Sequence, residues 1–103
     1  MGDNFSQISN STIINRSNLE NAFNKIKENH GEATAQALKL MEKIIGASGN
    51  KEAVEVLNEF NSEASKPEPK KTVLKSFWSS LCSILPAIST TAGIAEHIVK
   101  LFQ

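Results

Sequence analysis

The 103-residue chain carries one cysteine, Cys82. An internal disulfide is therefore excluded, and the redox state of the compartment does not constrain folding. Net charge is also lacking: 11 Lys and Arg balance 11 Asp and Glu, so overall charge gives no reason to expect nucleic acid as a partner. The polar N-terminus, with Asp3, has no basic lead-in to an apolar core, so no signal peptide is expected. Neither Ser6 after Gly2 nor the closing Leu101-Phe102-Gln103 makes a lipidation motif. A Ser-His-Asp or Cys-His set, a Gly-rich phosphate loop and an HExxH spacing are all missing. No enzymatic activity, metal or cofactor is expected.

Hydrophobic residues at 40% and charged residues at 21% are both low for a compact globule, yet ordinary for a folded chain. Ser and Asn make up the difference. The length allows one domain with a modest core. Charge is unevenly placed: residues 18–65 carry five Lys and eight Glu, residues 66–103 five Lys and two Glu. That asymmetry favours one half packing on the other, within a chain or between chains.

The strongest pattern is a seam. Leu19, Phe23, Ile26, His30, Ala33, Ala37, Leu40 and Ile44 step by four and three, the spacing of a heptad interface. Ser17 and Glu20 form a capping box ahead of it. The spacing predicts one helix over residues 18–46, with a break at Gly31 as the alternative, because Gly31 falls outside the seam and an interior glycine costs about 1 kcal/mol. His30 is the lone polar residue in the seam and reads as a register-setting layer. Ala33 and Ala37 allow close helix approach.

Before the seam, residues 4–16 look extended, with β-branched residues clustered at 12–14. A short strand needs a partner, across a turn or from another copy of the chain; a polar tail is the plainer reading. After the seam, Gly46 and Gly49 bracket a turn, and Asn50 caps a helix over residues 51–65. Val54, Leu57 and Phe60 form its apolar stripe. Glu52, Glu55, Glu59 and Glu63 form the opposite face, read as solvated. The short loop implies an antiparallel hairpin. Pro67 and Pro69 among charged neighbours mark a linker, and Thr72 is placed to cap the C-terminal helical segment.

In that segment Leu74, Phe77, Leu81, Ile84, Ile88, Ala92, Ala95, Val99 and Phe102 again step by three and four. One repeated four falls beside Pro86, where a helix should break or restart from a Ser83 cap. Ser76 to Ala95 is free of charge for 20 residues, flanked by Lys70, Lys71 and Lys75 before and Glu96 after. That length resembles a membrane span, but its Ser and Thr content, Pro86 and Gly93 argue for a buried helical hairpin. The competing reading is an interfacial or pore-lining helix with Phe77, Trp78, Leu81, Leu85 and Ile88 toward lipid. The lysines suit an acidic surface or anionic lipid rather than a nucleic acid. His97 reads as a surface residue and Cys82 as a small core residue.

The expected fold is mainly α: a short N-terminal β-strand, a long heptad-patterned helix in an antiparallel helical hairpin, then a Pro-broken apolar helical segment. The expected divisions are 1–17 as strand or tail and oligomerisation element, 18–65 as hairpin, 66–72 as linker and 73–103 as the apolar segment. The expected function is a non-enzymatic, cytoplasmic homo-oligomeric assembly or adaptor module, with itself or another protein as partner. The alternative is a small membrane-acting or pore-forming effector that inserts residues 72–102 into an anionic membrane.

Overall fold

The computed structural model describes residues 13–103. Most of the expected N-terminal strand lies outside them, and among the described residues there is no strand. Among the described residues four helices carry the fold: α1 (Arg16–His30), α2 (Glu32–Ser48), α3 (Lys51–Ala64) and α4 (Lys71–Ile84). Two single turns come next, α5 (Ala87–Thr90) and α6 (Ala95–Ile98), and then a 3-10 turn at Val99–Leu101. α1 lies against both α2 and α3, α3 against α4, and α6 against α2. One apolar cluster draws on every element and on both sides of the Pro/Lys stretch.

The expected long helix is two helices. Gly31 sits at φ 96°, ψ 167°, a backbone conformation that glycine adopts freely and that strains any residue with a Cβ. Its amide closes α1 on the carbonyl of Lys27 at 3.1 Å, and its carbonyl opens α2 by accepting from Ala35 at 3.3 Å. The break resets the helical phase. α2 buries Thr34, Leu38, Met41 and Ile45, each one residue beyond the expected Ala33, Ala37, Leu40 and Ile44. Ala37 is buried as well, but Ala33 and Leu40 face outward.

The capping box at Ser17 and Glu20 does not form. Helix α1 begins at Arg16, and the Asn15 side chain caps it by accepting from the Asn18 amide at 3.0 Å. The cause is tertiary. The Asn58 amide on α3 grips the backbone on both sides of Ile14, which is buried. The chain therefore turns into the helix at Asn15, two residues before Ser17. Glu20 instead lies 3.8 Å from Lys39 on α2.

Helix α3 starts as expected: the Asn50 side chain accepts from the Ala53 amide at 3.0 Å. Val54, Leu57 and Phe60 are buried. The acidic face is solvated at Glu52, Glu55 and Glu59 but not at Glu63, which is only 6% exposed. One Glu63 oxygen accepts from the Lys70 amide at 2.8 Å, the other from Lys66 Nζ at 2.9 Å. Lys70 is the N-cap of α4, so Glu63 satisfies an amide that has no partner within that helix, as a capping-box glutamate does, but from another helix. Thr72 lies inside α4, which opens without a cap from its own side chains. The Pro/Lys stretch is thus a closed turn that brings α4 back against α3.

Helix α4 stops at Ile84, and Leu85 at φ −131°, ψ 87° is outside the helical region, which a following proline disfavours. Ser83 stays within α4, and Pro86 itself is the cap of α5. Beyond it the hydroxyls bond locally. Ser89 donates to the Pro86 carbonyl, and Thr90 and Thr91 both donate to the Ala87 carbonyl. Such bonds compete with continuation of a helix. Gly93, at φ 88°, turns the chain once more, and Ile88, Ile94, Ile98 and Leu101 become the buried set. Ala92, expected in the stripe, is exposed.

Candidate functional site

The seam residues divide into two groups. Leu19, Ile26 and Ala37 belong to the chain's own core. Phe23 is half-buried, with Lys39 Nζ 4.8 Å above its ring, a cation–π contact. His30 is exposed at the end of α1 and does not form an interior layer. Ala33, Leu40 and Ile44 form the second group. Leu40 is 43% exposed, Ala33 is exposed and Ile44 half-buried. A helix advances 100° per residue, which places the three within about 40° of one another on the outer side of α2. Exposed Ala47 continues the line. The stripe therefore survives as an apolar surface because the turn at Gly31 rotates a different set of residues inward.

The residues expected to meet lipid are largely committed elsewhere. Trp78, Leu81 and Ile88 are buried in the core, and Phe77 and Leu85 pack partly against it. Among the described residues no helix is long and apolar enough to cross a membrane. The uncharged run from Ser76 to Ala95 is split by the break at Leu85–Pro86 and the turns after it. Lys70, Lys71 and Lys75 are exposed. The Lys70 amide is held by Glu63, and Lys71 Nζ donates to the Gln103 carbonyl at 3.0 Å.

Among the described residues no group of three or more His, Cys, Asp or Glu is placed to hold a metal ion. Burial pushes the Cys82 thiol above its ordinary value, with a hydrogen bond to Ser89 working against the shift. That leaves little thiolate for nucleophilic chemistry near neutral pH. Hollows mark the surface of the described residues at two places of interest. An open groove of about 560 Å3 runs between Ile13–Arg16 and the turn from α2 to α3. A smaller pocket of about 130 Å3 lies where the end of α1 meets the α3–α4 turn.

Asn58 and Asn61 were not singled out in the sequence, and Glu63 was read only as part of a solvated face. Asn58 and Asn61 sit in an α3 stretch whose periodicity emphasises its apolar partners, and Glu63 is spaced like its solvated neighbours. The one sequence signal that could have marked Glu63 as a cap is its place just before the Pro/Lys turn. Among the described residues the fold and surface define a small helical bundle with an apolar stripe exposed on the outer face of α2. No family model, curated protein or solved structure matches the chain.

Proposed function

We propose that the chain is a non-enzymatic assembly module that pairs with a second copy of itself through the outer face of α2. The observation that carries this reading is the symmetry of the open stripe. Ala33 and Ala47 each lie seven residues from Leu40, two helical turns in either direction. In an antiparallel pair Leu40 meets Leu40 of the partner subunit at a twofold axis, and Ala33 faces Ala47 of the partner subunit. Small residues at both ends let the helices approach closely, while Leu40 and Ile44 supply the apolar area. Such a self-complementary patch is what an isologous interface requires. A zero net charge places no long-range repulsion between copies. A different protein with an apolar helix would fit the same stripe as an adaptor.

Sedimentation equilibrium of the full chain at micromolar concentrations tests the proposal. A dimer is expected, and Leu40→Glu should convert it to a monomer with unchanged helix content. A wild-type chain that stays monomeric throughout that range, or a dimer indifferent to Leu40→Glu, would sink the self-pairing reading.

A further inference from the structure

We propose that the pocket between the end of α1 and the α3–α4 turn binds a small monocarboxylate with a compact apolar body. Its floor is Ile26, Ala64, Leu74 and Leu101, all less than a tenth exposed. Its rim carries Lys25, His30 and Lys71. Among the described residues no carboxylate lines it. The nearby buried acid, Glu63, is already committed to Lys66 and the Lys70 amide. An apolar floor under a one-sign rim selects an amphiphilic anion: the body leaves water for the floor while the carboxylate stays at the mouth beside the ammonium groups.

Size narrows the class. The volume of about 130 Å3 is close to the roughly 150 Å3 of an apolar cavity known to take benzene. A benzoate or a short branched acid fits. A long alkyl chain would project through the open side and gain nothing further from the floor. Lys71 is the adaptable member of the rim, because its present acceptor is the Gln103 carbonyl, which an anion can displace or share. The site is built from α1, α3, α4 and the C-terminal turn, away from the outer face of α2. It does not depend on self-association.

The test is an amide chemical-shift titration of the full chain with benzoate, its neutral isostere benzamide, and the straight-chain acids butanoate, hexanoate and octanoate. Benzoate is expected to give saturable, salt-sensitive shifts centred on Ile26, Leu74 and Leu101. Benzamide should bind about fivefold more weakly, the loss of about one partly exposed ion pair. Octanoate should bind no tighter than a six-carbon acid. In the double variant Lys25→Gln with Lys71→Gln, benzoate should fall to the level of benzamide, while benzamide, held by the floor alone, should bind as it does to the wild type. Equal binding of benzoate and benzamide, shifts centred elsewhere, or no saturable shift with any of the acids would overturn the proposal. Tightening with each added methylene would overturn the size limit and point to a lipid-like ligand instead.

Discussion

The side-chain amide of Asn58 acts toward the backbone around Asn15 as a neighbouring β-strand would. Its Oδ1 accepts from the Asn15 amide at 2.8 Å, and its Nδ2 donates to the Ile13 carbonyl at 3.1 Å. The two bonds span Ile14, whose side chain is thereby set into the core. Asn15 in turn caps α1. One residue on α3 thus fixes where the first described helix begins. Asn58→Leu removes both bonds while improving local helix propensity. It should lower stability by about 1–3 kcal/mol and speed hydrogen exchange at the Asn15 amide. Exchange at Asn15 as slow as in the wild type would show that Asn58 does not hold this segment.

Gly31 offers a test of backbone strain separated from packing. A Cβ built there meets no atom within 4 Å, so replacing it by alanine creates no clash. The whole effect comes from φ 96°. Gly31→Ala should therefore cost about 1–3 kcal/mol, measured by urea unfolding. A continuous helix across position 31 would put Ala33, Ala37, Leu40 and Ile44 in phase with α1. If Gly31→Ala stabilised the protein, that longer helix would be the accessible alternative, and its oligomeric state would change with it.

Glu63 links stability to pH. Its carboxyl is held below the ordinary value of 4.5, first by the Lys70 amide and then by the Lys66 side chain, with burial opposing both. A depressed folded-state pKa means that folding favours the ionised form. The stabilisation is complete above the ordinary value and is lost as pH falls from about 4.5 through the folded value. Glu63→Gln keeps an acceptor for Lys70 but loses the charge, and should cost about 1–2 kcal/mol at neutral pH. The gap between variant and wild type should narrow below pH 4.5. Urea midpoints across acid pH measure it, and a gap independent of pH would exclude the linkage. Lys66→Ala should matter less, since its side chain is 58% exposed.

Local signals carried much of this fold. The Asn50 cap, the buried stripe of Val54, Leu57 and Phe60, and the break at Pro86 all arise from neighbouring residues, and all are present. The long helix misled because α2 is apolar in two adjacent phases. Ala33, Ala37, Leu40 and Ile44 continue the heptad, while Leu38, Met41 and Ile45 lie one residue further on. Spacing alone cannot choose between them; the backbone of Gly31 does. Gly93 resets the second stripe in the same way. Glu63 differs from Glu59 only in what the adjoining turn brings to it. Asn58 acts across 43 positions of sequence, beyond any local pattern. The open stripe on α2 was legible as residues, but which of them would remain outside depended on the turn at Gly31.

The core carries a cost at Asn61. Asn61 on α3 is 0% exposed, and neither its Oδ1 nor its Nδ2 has a hydrogen-bond partner among the described residues. Its neighbours in the sequence, Phe60 and Ala64, are buried among apolar side chains. An amide withdrawn from water without partners costs about 1–3 kcal/mol. Leucine has the same branching and no polar atoms but is the larger residue, so Asn61→Leu should raise stability by up to about that amount, less whatever strain the added volume introduces. Asn61→Ala separates the two contributions: it also removes the polar group but leaves a cavity, so it should gain less than leucine or lose stability. Thermal and urea unfolding of the three proteins give the order leucine, wild type, then alanine, or leucine, alanine, wild type if the core closes around the smaller residue. If both variants, the larger and the smaller, were less stable than the wild type, the amide would be hydrogen-bonded in solution and Asn61 would help to specify how α3 packs.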